Sequence, residues 1–339
     1  MNKYNAWIGL LVGSAIFGGL QAQDTGPQTA TLKFKPYKSF DFLLPKETWT
    51  KVGSTVGLRH PNGEGFRAIR TGLKLTVDTT GNGNPNKDVK GSSGYLTFRS
   101  ATKGNSFHYA ARFQGSAAGF TYASSCAMVG TVAGVPIQLL DLNNNGRFDE
   151  VGTDGILVGK GKAVAFLSKV ISYNTKLYNL TVKGVTVSTT PYEGEAGSIN
   201  LTSGFQSRGK LQSAIISDGN NSYNVAGLSS LTVPVGDYKV VSGFVGKGPA
   251  SAQIRTGKMA AIRVKDGEMA KLNWGGKVMA EFTCSLEGDK VTVAPANLHY
   301  YGRAGEEYYN LNRNAKSPRF TARDVESGRP LGNFAFAGC

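Results

Sequence analysis

The sequence predicts an all-β protein built from two or three sandwich-like modules in tandem, with little helix after the leader. Three observations carry this: runs in which apolar and polar residues alternate, 45 glycines spread between those runs, and only 18% charged residues. A side-chain period of two is the signature of a half-buried strand, and Gly, Asn and Asp supply the turns between strands. With 339 residues the chain exceeds what one hydrophobic core usually accommodates, about 250–300 residues, so more than one module is expected.

Residues 1–22 read as a signal peptide. Lys3 provides the positive start, "AWIGLLVGSAIFGGL" the apolar stretch, and Ala22 the small residue at the cleavage point. The apolar stretch is shorter than the ~20 residues of a spanning helix, and no later segment is long enough to span, so no transmembrane span is expected in the mature chain. Removal of the leader leaves 37 Lys and Arg against 23 Asp and Glu, a net charge of +14. Those basic residues are scattered rather than clustered, which argues against nucleic acid and leaves weak affinity for anionic surface polymers or glycans, or solubility alone. The expected location is periplasmic, cell-surface or extracellular.

Along the chain, alternation recurs in "GLKLTVD", "GYLTFRS", "FHYAARF", "VPIQLLD", "YNLTVKGVTVS", "LTVPVGDYKVVSGF", "AAIRVKDG" and "PRFTARDV". Only "AVAFLSKVI" at 163–171 offers a short helix, against the β preference of its Val, Ile and Phe. "PYEGEAGSINLTSGFQSRG" and "LNWGGKV" are Gly-rich without sustained alternation and read as connectors. They divide the chain into an N-terminal β domain (23–200), a middle sandwich (201–276) and a C-terminal immunoglobulin-like module (277–339). The stripe Tyr300, Tyr301, Tyr308 and Tyr309 reads as cross-strand packing, with stacking on sugar rings as the alternative. Of the three cysteines, Cys284 and Cys339 are the expected disulfide, closing the chain end onto "AEFTCSL" and stabilising by about 4 kcal/mol in the chain-entropy model. Cys126, in the apolar "SSCAMVGTV", is the expected buried thiol.

One segment suggests chemistry. In "DLNNNGRFDE" the side-chain oxygens fall on alternate residues Asp141, Asn143 and Asn145, followed by Gly146, the Arg147 carbonyl and Asp149. Calcium takes six to eight hard oxygens, and this spacing supplies alternate ligands, a sharp glycine turn and one backbone carbonyl. The stretch resembles the DxDxDG loop of EF-hands, dockerins and the calcium-binding blades of integrin-like propellers. It departs from the EF-hand at position twelve, where Gly152 stands in place of the bidentate Glu, and strand-like flanks "VPIQLL" and "DGILVG" favour a strand–loop–strand form. In that form the resemblance implies closure by Asp149, with Asp154 or Glu150 adding an oxygen. Two of the central ligands are neutral, so the expected affinity is weak, about 10⁻⁴–10⁻³ M. The alternative is an Asn-Gly turn whose side chains bond their own backbone. A weaker second loop, Asp78, Thr80, Asn82, Asn84 and Asn86, repeats the layout with Asp88 nearby.

In the middle module, the step through Pro234, Gly236, Asp237 and Tyr238 resembles the prealbumin-like modules of carboxypeptidase regulatory domains, which implies a non-catalytic sandwich. No metal-spaced partner accompanies His60, His108 or His299, and no GxSxG elbow occurs. "GILVGKGKAV" and "GFVGKGPAS" lack phosphate-loop spacing. Glu193 with Glu195 is the one carboxylate pair placed to share a strand face, as a secreted hydrolase acting on glycans would require. The chain as a whole resembles exported bacterial β-module proteins that carry dockerin-like or EF-hand-like calcium loops. That reading is an exported, non-catalytic cell-surface or periplasmic binding and structural protein, with the hydrolase and a ligand-free scaffold as alternatives.

Overall fold

The computed structural model describes residues 26–58, 65–102, 105–288, 290–311 and 318–336. Among the described residues strands make up 57% and no helix reaches seven residues, so the protein is all-β. Pro295–Asn297 forms a single 3₁₀ turn. Among the described residues no helix is long and apolar enough to cross a membrane. The leader, His60 and Cys339 lie outside the described residues.

Alternation translates directly into burial. Along Lys74–Val77, Leu75 and Val77 point into the core and Lys74 outward, and along Gly236–Lys247 Tyr238 and Val240 are buried between exposed Asp237 and Lys239. Hairpins close where the chain can adopt left-handed backbone. Asn174 (φ 48°) and Thr175 (φ 65°) join Val170–Tyr173 to Lys176–Lys183, the paired positive φ of a tight turn matched to strand twist. The segment 163–171 is not the short helix its sequence offers. It forms the strands Ala165–Phe166 and the start of Val170–Tyr173, which pair with Gly155–Val158 and Lys176–Lys183. Cross-strand pairing and burial of Val164, Leu167 and Ile171 outweigh a weak local helical tendency.

The N-terminal half stacks four sheets around one core. One runs Gln28–Thr31, Thr186–Pro191, Lys176–Lys183, Val170–Tyr173; a second runs Ala165–Phe166, Gly155–Val158, Val135–Leu140, Cys126–Val132, Lys33–Pro36. A third contains Thr50–Lys51, Gly119–Ser124, Asn105–Ser116 and Ser93–Thr102, and a fourth Thr55–Val56, Phe66–Thr71, Lys74–Val77 and Lys87–Lys90. Their inward faces meet in a cluster that includes Phe66, Phe98, Tyr109, Phe113, Tyr122, Ile137 and Phe148. Phe66 and Phe98 cross edge to face at 5.0 Å, and truncating either to Ala costs about 3–5 kcal/mol.

A second core forms around Trp274, Tyr238, Ile199 and Ile254. Both Gly-rich stretches that read as connectors belong to it. Ala196–Asn200 pairs with Leu231–Pro234 and Met269–Lys271, and Trp274 is fully buried with its indole N–H donating to the Leu201 carbonyl at 2.8 Å. Alternation failed to mark these residues because their strands are two to five residues long, too short to display a period. Tyr238, also fully buried, donates its hydroxyl to the Pro234 carbonyl at 3.0 Å, pinning the step between two strands.

The large sheet of this core runs Ser222–Asn224, Lys210–Ser217, Gly236–Lys247, Ala250–Arg255, Glu307–Tyr309, Leu298–Tyr301, Met279–Phe282. Hydrogen bonding is therefore continuous across residue 277, and Tyr308 packs into the core of the middle module. Within the tyrosine stripe Tyr300 faces Tyr308 across the strands. Tyr301 lies under the Lys258 ammonium at 4.5 Å, and Tyr309 under the Arg255 guanidinium at 5.0 Å. Cys284 is exposed, and its expected partner Cys339 lies outside the described residues.

Candidate metal centre

Val135–Leu140 pairs with Gly155–Val158 so that Leu140 faces Gly155, which makes residues 141–154 the loop of one long hairpin. Two apolar side chains anchor it. Phe148 enters the main core 6.1 Å from the Tyr109 ring, and Leu142 packs with Leu140, Leu157 and Val164. The backbone turns through left-handed conformations at Asn144 (φ 63°) and Gly146 (φ 83°), which Asn and Gly adopt most readily.

Asp141 organises the turn. Its Oδ1 accepts backbone N–H bonds from Asn143 (3.1 Å), Asn144 (2.6 Å) and Asn145 (3.3 Å), and its Oδ2 accepts from the Gly146 N–H (2.7 Å) and the Tyr109 hydroxyl (2.9 Å). The carboxyl is 1% exposed. Burial pushes its pKa up to about 6 against the pull of those donors.

Asp154 closes the hairpin and differs in one respect. It is fully buried; its Oδ2 accepts the Glu150 N–H at 2.9 Å, whereas its Oδ1 has no hydrogen-bond partner. Burial, reinforced by the neighbouring charges of Asp141 and Glu150, raises its pKa to about 8 although the Glu150 and Leu142 N–H groups favour the ionised form. A buried carboxylate oxygen without a donor is costly, and among the described residues it stands with two other side-chain oxygens.

Glu150 turns to the loop as well, its Oε2 accepting from the side-chain amides of Asn143 (2.9 Å) and Asn145 (2.6 Å). Their carbonyl oxygens accept N–H bonds from Asn145 and Arg147. Asp149, the ninth residue of the motif, faces elsewhere: Oδ1 is ion-paired with the Arg147 guanidinium at 2.9 Å and Oδ2 accepts the Gly184 N–H at 2.9 Å. The structure thus groups the Glu150 carboxylate with the Asn143 and Asn145 amides, buries Asp141 and Asp154, and uses Asp149 to tie the loop to the neighbouring hairpin.

Three carboxylates, two amide oxygens after rotation of the Asn side chains and the Arg147 carbonyl are the oxygen types that calcium takes, although in this arrangement both Asp141 oxygens are already used by five donors of the protein. The Asp154 oxygen without a partner is a buried polar atom that the protein's own donors leave unsatisfied. Among the described residues no group of three or more His, Cys, Asp or Glu side chains is assembled for a metal, so binding here requires the amides and Glu150 to turn inward together.

Three residues that the spacing of the motif did not single out hold the loop in place. Asn144 is buried; its Oδ1 accepts the Ser124 N–H at 2.8 Å and its Nδ2 donates to the Thr48 carbonyl at 2.8 Å and the Thr50 hydroxyl at 3.1 Å. The Tyr122 hydroxyl donates to the Asn144 carbonyl at 3.0 Å, and Tyr109 bonds Asp141. Left-handed Asn inside a polar run was a usable signal for Asn144. Nothing local pointed to the tyrosines, which arrive from other strands.

The second loop, residues 78–86, joins Lys74–Val77 to Lys87–Lys90, with Val77 facing Lys87. Its carboxylate is fully used by the loop itself. Asp78 Oδ1 accepts from the Thr80 N–H, the Thr80 hydroxyl and the Gly81 N–H, all at 2.9 Å, and Oδ2 from the Gly83 N–H at 2.7 Å. Burial opposes ionisation of Asp78, but these donors together lower its pKa. Asn82 accepts the Asn84 N–H, Asn86 accepts from Thr79, and Asp88 is paired with Lys74 outside the turn. This loop is closed as a polar turn without a second buried carboxylate.

Comparison with known proteins finds no matching family model, curated sequence or solved structure. Function therefore rests on the site itself.

The remaining candidates do not converge on chemistry. Glu193 and Glu195 sit exposed on the bend between Thr186–Pro191 and Ala196–Asn200, outside any strand. His108 stacks on Phe34 at 5.7 Å, and His299 Nδ1 lies 2.9 Å from Glu307, which Arg255 also grips. Cys126 is fully buried, and burial pushes its thiol up to about 12 despite bonds from the Ala110 N–H and Ser124. Such a thiol is unreactive at neutral pH.

Proposed function

We propose that the chain is an exported, non-catalytic cell-surface or periplasmic protein, binding and structural in role, whose N-terminal domain is locked by a weak calcium ion in the 141–154 loop. The carrying observation is the fully buried Asp154 with one carboxylate oxygen unpartnered, beside a loop whose other oxygens follow calcium-ligand spacing. Asp141, Asn143, Asn145, Glu150, Asp154 and the Arg147 carbonyl would hold the ion; the bound cation supplies the positive charge that the buried carboxylates lack.

The structural consequence follows from what the loop touches. Asn144 reaches the 48–50 segment and Ser124, Asp149 reaches Gly184, and the Gly152 N–H donates to the Leu167 carbonyl. Rigidifying this loop therefore couples four separate strand connections, and ligation stabilises the folded chain by mass action. A recess of about 420 Å³ beside it, lined by Phe34, His108, Met128, Arg147, Asp149 and Val185 among others, has one wall made of loop residues. Its mix of aromatic and polar groups suits a glycan segment, which makes this the part of the surface where partner binding depends on calcium.

The test is thermal unfolding of the mature protein in chelator and in millimolar calcium, beside glycan binding under both conditions. A calcium-dependent rise in melting temperature that Asp154→Asn abolishes supports the reading. Identical melts with and without calcium reject it and leave a metal-free scaffold.

A further inference from the structure

The hairpin of Lys176–Lys183 with Thr186–Pro191 carries its inward face past the edge of the main core. Tyr178 stands opposite Pro191 and Leu180 opposite Thr189 in the register of the two strands. Directly paired residues share a face, as do residues two apart along a strand, so Lys176, Tyr178, Thr189 and Pro191 continue the face on which Leu180 and Val187 enter the core. At this end the face opens into a recess of about 670 Å³, within the range of about 300–1,000 Å³ typical of small-molecule sites. The bend at Tyr192 and Glu193 forms one side of it. Another is the tip of the hairpin Cys126–Val132/Val135–Leu140, where Ala133 (φ 49°) and Gly134 (φ 75°) make a tight turn. The recess shares no lining residue with the one beside the 141–154 loop.

Its polar groups are unspent. Among the described residues the Lys176 ammonium and the Glu193 carboxylate take part in no hydrogen bond or ion pair, with each other or with a third group. Thr189 is 1% exposed, and its hydroxyl has no partner either. Tyr178 and Tyr192 are half-buried beside these groups, so part of each ring faces the recess. Charge narrows the choice of ligand. A simple anion drawn to Lys176 meets Glu193, a simple cation drawn to Glu193 meets Lys176, and a neutral glycan leaves both charges without a counter-charge. A ligand with one charge of each sign satisfies both groups through charge-assisted hydrogen bonds. The free termini of a short peptide are such a pair, and the tyrosine rings supply apolar and cation–π contact between them.

We infer that this recess binds a short peptide with both termini free, its ammonium on Glu193, its carboxylate on Lys176 and its side chains against Tyr178 and Tyr192. Calorimetric titration of the mature full-length chain with alanyl-phenylalanine tests it, run in chelator so that the outcome is independent of the calcium loop. Expected is saturable binding with a dissociation constant of about 0.1–1 mM, the strength usual for a ligand of this size. N-acetylation of the peptide, amidation of its carboxylate, Glu193→Gln and Lys176→Met should each weaken binding about tenfold, because each removes one charge-assisted bond. The assignments are crossed: Glu193→Gln should no longer distinguish free from acetylated peptide, and Lys176→Met should no longer distinguish free from amidated peptide. Both side chains are exposed, so the melting temperatures of the variants should match that of the parent. Absence of saturable heat at about ten times the upper expected dissociation constant overturns the inference. So do blocked peptides that bind as tightly as the free one, variants that keep full discrimination, and a neutral trisaccharide that binds in place of the peptide and is weakened by the same substitutions.

Discussion

Asp154 offers the sharpest test of the proposed metal centre, because its ionisation would link pH, calcium and stability in one side chain. It is fully buried, with one oxygen bonded to the Glu150 N–H and the other to nothing, and its pKa stands at about 8 against an ordinary carboxyl value near 4. Since the folded value is raised, the group's contribution to stability is full below about pH 4 and is lost as pH rises through about 8. Each tenfold change in proton affinity is worth about 1.4 kcal/mol, so the loss approaches about 5 kcal/mol at the alkaline end as an upper limit. Asp141, at about 6, adds a smaller decline over about pH 4–6 of the same sign. Replacing Asp154 with Asn keeps an acceptor for the Glu150 N–H and removes the charge. In chelator near pH 8.5 the Asp154→Asn protein should be more stable than the parent by about 2–5 kcal/mol, and the difference should shrink as pH falls and vanish only below about pH 4. Calcium at about ten to one hundred times a Kd of about 10⁻⁴ M, that is in the millimolar range, should stabilise the parent by about 1.4–2.7 kcal/mol, roughly 3–10 °C in melting temperature, and the variant by nothing. Urea unfolding across this pH range, with and without calcium, measures all of these. A variant less stable than the parent at high pH in chelator, or one that keeps the calcium increment, refutes the reasoning.

Other consequences are independent of that variant. Asn144→Ala removes bonds to Ser124, Thr48 and Thr50 at a left-handed position and should destabilise by about 2–4 kcal/mol in chelator and calcium alike, measured by urea unfolding. Asp78→Ala strips the acceptor from four donors and should cost about 2–3 kcal/mol while leaving the calcium increment of the melting temperature unchanged. Because the Asp78 pKa is lowered, its stabilisation is present above about pH 4 and lost as pH falls below it, the opposite sign to Asp154. Cys126 should resist thiol reagents in the native protein and react fully on unfolding, whereas exposed Cys284, unless paired, reacts at once.

The strand content, the turn positions and the apolar faces were legible because they are local. Alternation in "GLKLTVD" and "VPIQLLD" follows from the two-residue period of a strand, and Asn-Gly and Asp-rich runs sit where hairpins need left-handed backbone. The oxygen spacing of Asp141, Asn143 and Asn145 was equally local. Which carboxylate joins them was not: Asp149 and Glu150 are adjacent in sequence, and only the packing of the loop against Gly184 turns Asp149 away while Glu150 faces the two Asn amides. The 163–171 segment, the two Gly-rich stretches and the strands beyond residue 277 were decided in the same way, by partners far along the chain. The sequence by itself determined the class of structure and the existence of an oxygen-rich polar turn at 141–150, since both depend on neighbours a few residues apart. Tertiary structure alone decided that Asp141 is capped by Tyr109 and that Asp154 is buried with an oxygen unpaired, because burial and the identity of a hydrogen-bond donor exist only once distant strands have come together.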